Sequence, residues 1–210
     1  MEITHLSASQ LNTLRECPRR WWYYVNGCPE DEVDNRYADR GSAVHKAIEE
    51  HIEGRRPDHL SLTEHLDEQM YSEYRRCFET YLDLGRAVCL QNPAAELELE
   101  AVVHGIRLIG RLDVVDGETV IDWKTGNPSE SERYQAAVYQ HLMRANGAQD
   151  PEVLFVHLKS GEIRRAPRYP EDYVPAIVST HLETIRSGKF PATGNGCRWC
   201  RYRSLCEVGR

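Results

Sequence analysis

The chain has 210 residues, with 26 basic and 33 acidic side chains and a formal net charge of −7. That length allows one sizeable domain, and 40% apolar residues can build a real core, which excludes a disordered or low-complexity chain. No apolar run approaches the ~18 residues of a membrane span. The start, MEITHLSASQ, lacks the basic and apolar stretches of a signal peptide, so a cytoplasmic protein with no membrane partner is expected.

Charge is unevenly spread. Residues 29–100 hold 18 acidic and 8 basic side chains, the remainder 15 and 18. The basic excess lies at both ends, in Arg15, Arg19 and Arg20 and in Arg186, Lys189, Arg198, Arg201, Arg203 and Arg210. A local basic patch can bind phosphates on an acidic protein.

Residues 7–25 read as one helix or two short ones, with Ser7 and Gln10 at capping-box spacing and Pro18 suited to a first turn. Polar residues 28–39 read as a loop, and 40–54 as a helix that carries His45 and ends at Gly54. Residues 62–92 read as a long helix or a pair, capped at Thr63 and stopped by Pro93. The period then changes. Residues 96–104 alternate as a strand, Gly105 turns the chain, 106–115 form a second strand, Asp116-Gly117 a hairpin turn and 118–124 a third strand. A helix follows over 131–146. Residues 152–159 and 162–167 read as a hairpin around Ser160-Gly161, and 171–187 as a last helix. The expected architecture is α/β: a helical part over 1–95, a core with a central mixed sheet and flanking helices over 96–190, and a cysteine-bearing tail over 191–210.

The sharpest local feature is Val120-Ile121-Asp122-Trp123-Lys124-Thr125-Gly126. On a strand, Asp122 and Lys124 share a face and Trp123 points into the other layer. An acid and a lysine on an apolar strand are costly unless paired or used. Across the hairpin, Asp113 of Gly110-Arg111-Leu112-Asp113 can approach Asp122. Two close carboxylates repel, and a hard divalent cation relieves the repulsion. The plain alternative, a solvated edge-strand pair, is outweighed by the upstream Gly-x-x-Asp, the apolar strand and the Thr-Gly exit. Glu98 and Glu100 read as a solvated strand face and are left out of the site.

Seven cysteines are too many by one for a closed disulfide framework. Cys197, Cys200 and Cys206 form Cys-x2-Cys-x5-Cys and need a fourth ligand, which Cys17, Cys28, Cys77, Cys89 or a histidine can supply. Spacing alone suits zinc or a 4Fe–4S cluster equally. Arg198, Arg201 and Arg203 with Trp199 and Tyr202 can pair with phosphates and stack on bases. For Trp199 the plainer expectation is that it covers the metal centre.

Asp113, Asp122-x-Lys124 and the helix after them resemble the PD-(D/E)XK nuclease superfamily, in its RecB-like branch. Gly41-Ser42-Ala43-Val44-His45 resembles that branch's histidine motif, and Gln135-Ala136-Ala137-Val138-Tyr139 its Gln-x-x-x-Tyr motif. Cys17-Pro18-Arg19-Arg20-Trp21 resembles the start of its iron–sulfur subgroup, which includes the small CRISPR-associated exonuclease family. The resemblance implies a single restriction-endonuclease-like domain over 1–210. Magnesium or manganese would sit on His45, Asp113, Asp122 and the Trp123 carbonyl. Asp113, Asp122 and Lys124 would be catalytic, and Gln135 and Tyr139 would face and position the substrate strand. A 4Fe–4S cluster would sit on Cys17, Cys197, Cys200 and Cys206, leaving Cys28, Cys77 and Cys89 to packing. The implied activity is a metal-dependent DNA exonuclease on single strands or ends, in CRISPR spacer acquisition or viral or mobile-element DNA processing. Integrase proteins or a helicase would be its partners. The alternatives are a repair or recombination nuclease and a non-catalytic iron–sulfur or zinc DNA-binding module; oligomeric state stays open.

Overall fold

Ser7 ends a three-residue strand and starts a helix, because its hydroxyl accepts the Gln10 amide at 3.1 Å. Strand β1 spans His5–Ser7, helix α1 Ala8–Glu16 and helix α2 Pro18–Val25, with Pro18 in its first turn. The computed structural model describes residues 3–88 and 90–209, so the packing expected of Cys89 lies outside the described residues. Helix α3 covers Arg36–Ile52, four residues earlier than the sequence suggests. The expected cap at Thr63 is corrected. Asp58 caps a short helix α4, His59–Thr63, and Asp67 caps α5, Glu68–Ala87, by accepting the Met70 amide at 2.8 Å. Thr63 instead closes α4, its hydroxyl bonded to the His59 carbonyl at 2.6 Å.

Strands β2 (Ala94–Val103), β3 (Ile106–Asp116) and β4 (Thr119–Lys124) follow as expected, except that the β3–β4 turn is Gly117-Glu118. Helix α6 (Ser131–Ala145), strands β5 (Glu152–His157) and β6 (Glu162–Arg165) and helix α7 (Tyr173–Ser187) complete the set. The six strands form one mixed sheet in the order β1-β3-β4-β5-β6, with β2 also on β3. β4 is therefore a central strand, antiparallel to β3 and parallel to β5, not an edge. No helix among the described residues is long and apolar enough to cross a membrane.

The chain divides into two compact units. One comprises residues 35–99 and 111–168. Its core packs Ala43, Val44, Ala47 and Ile48 of α3 and Tyr74, Cys77, Phe78 and Tyr81 of α5 onto Val114, Ile121, Trp123 and Val156 of the strands. Trp123 meets Tyr81 edge-on at 5.1 Å, so the apolar layer takes the odd residue of β4 and leaves Asp122 and Lys124 to the other face.

The second unit comprises residues 1–34, 100–110 and 169–210. It is tied by bonds between residues far apart in sequence. The Arg19 guanidinium donates to the Phe190 carbonyl at 2.7 Å and the Tyr23 hydroxyl to the Leu205 carbonyl at 3.1 Å. The Asp31 amide donates to the Arg201 carbonyl at 2.6 Å.

Candidate active site

The β3–β4 register pairs Val114 with Ile121 and Val115 with Val120, and its continuation sets Asp113 opposite Asp122. Asp113 Oδ2 accepts the Trp123 amide at 2.9 Å and lies 3.2 Å from His45 Nδ1. His45 reaches this point because α3 approaches the exit of β4 closely. A Cβ on Gly41 would meet Thr125 Oγ1 at 3.1 Å. The buried Arg40 guanidinium donates to the Thr125 carbonyl at 2.8 Å and pairs with Glu73, which Lys159 also contacts at 3.1 Å. Arg40 is thus a brace between helix and strand that sequence reasoning missed, although it adjoins the glycine of the histidine motif.

A third ligand also escaped the sequence reading. One ligand atom each of His45, Glu96 and Asp113 lies within 4.8 Å of the others, a grouping that can hold a metal ion. Glu96 has left-handed backbone, with φ of 52°, so it departs from the alternation that leaves Glu98 and Glu100 exposed. Its other contact is an ion pair with Arg111.

Asp122 is 1% exposed and sits at the centre of a polar network. Gln135 Nε2 donates to Asp122 Oδ1 at 2.7 Å, and Tyr139 Oη donates to the same oxygen at 3.3 Å and to the Arg111 carbonyl at 3.1 Å. Lys124 Nζ lies 2.6 Å from Asp122 Oδ2 and donates to Gln135 Oε1 at 2.7 Å. Asp122 Oδ2 is buried and faces the Lys124 ammonium, so a metal ion at this oxygen would share it with Lys124. The Lys124 ammonium also lies 5.2 Å from the Phe155 ring, and that ring lines a cavity of about 440 Å³ rimmed by Arg133, Arg164 and Arg165.

Gln135 is half-buried, whereas Tyr139 is 3% exposed and bonds inward to Asp122, so the tyrosine does not face outward as expected. The i, i+4 spacing does bring the two side chains together, at 2.7 Å, but as braces of Asp122 and Lys124.

The electrostatics follow from crowding. Burial, and then the Asp113 charge, hold the Asp122 carboxyl well above the usual range, against the pull of Lys124. Burial and Asp113 likewise raise Glu96, against Arg111 and His45. Burial alone would lower the His45 imidazole, but Asp113, Asp122 and Glu96 outweigh it and the net shift is upward. Burial and the nearby carboxylates keep Tyr139 protonated, so it serves as a donor. The site holds more negative charge than its lysine balances. Its oxygen and imidazole donors fit a hard divalent cation.

The other motif residues also converge. Cys17, Cys197, Cys200 and Cys206 line one enclosed cavity together with Arg19, Arg20 and Arg203. Burial raises the Cys200 thiol, with Cys17 and Cys197 adding to the rise and Arg20 opposing it. Cys77 is buried in the α3–α5 core, and Cys28 packs at the edge of the Tyr23–Tyr202 cluster. The expectation for Trp199 is overturned: it is 72% exposed and cannot cover the centre, whereas Tyr202 is buried and does pack there.

No curated protein sequence matches the chain. Solved structures share its fold. The crystal structure of SSO0001 covers 100% of this chain and 89% of its own at 16% identity and a TM-score of 0.55. A "Putative exonuclease" from Eubacterium rectale covers 99% and 87% at 13% identity and a TM-score of 0.63. A family model of the PD-(D/E)XK nuclease superfamily matches residues 5–207, nearly the full length over which this sheet, its carboxylates and its lysine are laid out. The chain therefore belongs to the PD-(D/E)XK nuclease superfamily and is a nuclease that hydrolyses phosphodiester bonds.

Proposed function

We propose that the whole chain, 1–210, works as one divalent-metal-dependent DNA exonuclease that acts on single strands or strand ends. The observation that carries this reading is the convergence of His45, Glu96 and Asp113 within 4.8 Å, with the Asp122–Lys124 pair on the facing strand. Magnesium or manganese held by these groups and the Trp123 carbonyl would polarise a phosphoryl oxygen and make a bound water more acidic. Asp122 and Gln135 hold Lys124 in place, and its ammonium has donors left for the scissile phosphate or the attacking water. Tyr139 and Gln135 fix the Asp122 carboxylate so that little reorganisation is needed during reaction. Arg133, Arg164 and Arg165 line the cavity next to Phe155, but each pairs with a carboxylate, Glu130, Glu162 and Glu152 in turn, so a strand's phosphates would have to exchange for those partners. Exonuclease action is the activity named for the Eubacterium rectale neighbour.

The same reading assigns a 4Fe–4S cluster to Cys17, Cys197, Cys200 and Cys206. Four soft thiolate donors on one cavity fit such a centre, and the arginines on its wall offset its charge. Thiol donors alone also suit zinc, and the resemblance of Cys17-Pro18-Arg19-Arg20-Trp21 to the iron–sulfur subgroup is what favours the cluster. Joining Cys17 to the tail closes a loop of about 180 residues, an entropy cost of roughly 4–5 kcal/mol that cluster bonding offsets. The setting that suits these motifs is CRISPR spacer acquisition or viral or mobile-element DNA processing in the cytoplasm, with integrase proteins or a helicase as partners.

The test is cleavage of end-labelled single- and double-stranded DNA by anaerobically purified protein with manganese, magnesium or chelator, beside Lys124→Ala. Metal-dependent release of label, lost in the variant, is expected. Absence of cleavage by protein that carries its cluster would replace this reading with a non-catalytic DNA-binding module.

A further inference from the structure

The unit built from residues 1–34, 100–110 and 169–210 presents an aromatic surface that the catalytic chemistry does not use. Trp199 is 72% exposed and Tyr24 is 55% exposed. Water contact with so much aromatic surface is unfavourable, so two such rings on one site point to something that covers them. Both line a cavity of about 470 Å³, within the size of pockets that take small organic groups. Trp21, Arg20, Gln10 and Arg201 form its other main walls.

The backbone that carries Trp199 is well tied. Gly196 takes a left-handed φ of 69° and starts a single turn over Cys197–Trp199. The Trp199 amide donates to the Gly196 carbonyl at 3.0 Å, and the Cys200 amide to the Cys197 carbonyl at 3.2 Å. Cys197 and Cys200, on either side of Trp199 in sequence, both line the cysteine cavity, so whatever binds the sulfurs also fixes this turn. The Arg198 guanidinium lies 5.0 Å from the indole centroid.

The charge suits a polyanion. Residues 186–209 carry Arg186, Lys189, Arg198, Arg201 and Arg203 against Glu207 alone. The one acid on the cavity wall, Glu30, is already engaged, by Arg201 at 2.8 Å and the Tyr202 hydroxyl at 3.0 Å. Flat rings, an amide and hydroxyls inside a basic surround match an unpaired nucleobase and the phosphates on either side of it.

We propose that this cavity is a stacking site for unpaired nucleobases, with Trp199 and Tyr24 as the platforms and Arg198 toward the phosphates, since Arg20 is held by Glu16 at 2.5 Å. The inference rests on the proposed action on single strands and adds the place where their bases are held. Stacking of this kind tolerates any sequence, because every base has a π face.

The experiment compares two labelled strands of equal length by fluorescence anisotropy, one of thymidylates and one abasic with the same phosphates. The full chain with its cysteine centre intact is used, without divalent metal. Wild type is expected to bind the thymidylate strand at least about 10-fold more tightly. Trp199→Ala and Tyr24→Ala should each lose about 5- to 100-fold on that strand and little on the abasic one. Trp199→Phe should recover most of the loss. Equal weakening on both strands would make the ring a structural element and overturn the proposal. Equal binding of both strands by wild type would overturn it in favour of a protein-docking surface. Cleavage by metal-loaded wild type is assayed alongside. Its absence counts against the nuclease reading, whereas cleavage without base discrimination sinks only the stacking site.

Discussion

Beneath the active site, α3, α5 and three strands enclose a core that includes Trp123, Tyr81, Tyr74, Ile121 and Val156, all 3% exposed or less. Around the cysteine cavity, the clustered apolar residues are Tyr23, Tyr202 and Cys206, and much else is arginine or exposed aromatic. The first region has enough apolar burial to hold an ionisable acid such as Asp122 in the interior. The second unit buries Leu11, Leu14, Val178 and Leu182 of α1 and α7, and Trp21 meets Phe190 at 5.8 Å, but the tail beyond Cys197 is held by the small Tyr23–Tyr202–Cys206 cluster, hydrogen bonds such as Tyr23 to Leu205, and whatever the four thiols bind. The difference separates two strategies. One region lends stability to its functional groups, and on the proposed reading the cysteine end of the other would take stability from the group it binds.

The largest expected effects test that division directly. Lys124→Ala and Asp122→Ala should each lower cleavage by at least about 100-fold, because the groups that meet transition-state charge and the cation are gone. Both variants should fold and keep the brown cluster absorbance. Loss of absorbance in Lys124→Ala would show that the two regions are not separable. Cys200→Ala should do the reverse and lose absorbance and solubility together. Soluble, fully active Cys200→Ala protein would sink the staple.

Glu96 sharpens the comparison within the first region. Glu96→Gln removes a charge from the His45–Asp113 grouping and keeps the shape. Manganese affinity, read by calorimetry on protein without DNA, should fall about 10-fold, with Tm nearly unchanged. Unaltered affinity would mean that Glu96 only neutralises Arg111.

Proton release gives a smaller effect with a definite sign. Asp122, Glu96 and His45 all have raised pKa values, so at mildly acidic pH they retain protons that a cation must displace. Metal affinity should therefore rise with pH from about 6 to about 8, with protons released on binding. Calorimetry in buffers of different ionisation heat measures that release, and a pH-independent affinity would contradict the assignment.

The parts of the molecule differ in how far their sequence reveals them. Asp122 and Lys124 are legible because strand alternation is strictly local. A two-residue turn makes the approach of Asp113 legible, but not the register: a turn at Asp116-Gly117 would set Asp113 opposite Val120, and the turn at Gly117-Glu118 sets it opposite Asp122. β1 is not, since its three residues are a strand only through parallel pairing with Arg107–Ile109, about a hundred positions later. Glu96 is hidden because one left-handed residue breaks the pattern that Glu98 and Glu100 continue. Arg40 is hidden because a helical arginine looks solvated until Glu73 and the Thr125 carbonyl are brought to it. Tyr139 was placed on the right helix face, but only tertiary packing shows that it turns toward Asp122.

The smallest expected effect is also the one that separates the two strategies most clearly. A carboxyl whose pKa is raised by folding destabilises the fold once the pH exceeds its unfolded value near 3.9, and the full cost is reached above the folded value. Asp122 is such a group, so at neutral pH without metal Asp122→Asn should raise stability by about 1–2 kcal/mol, or several degrees in Tm. The asparagine oxygen can still accept from Gln135, but its amide nitrogen then faces Lys124 where Oδ2 stood, and that lost ion pair is why the gain is smaller than the full burial cost. With saturating manganese the order should invert, because the ion stabilises wild type by mass action and binds the variant poorly. No such gain is expected from removing a thiol in the cysteine cavity, where the proposed cluster would tie the tail to α2. If Asp122→Asn melts below wild type in chelator, the carboxylate is already balanced by Lys124, and the first region does not carry the electrostatic burden assigned to it.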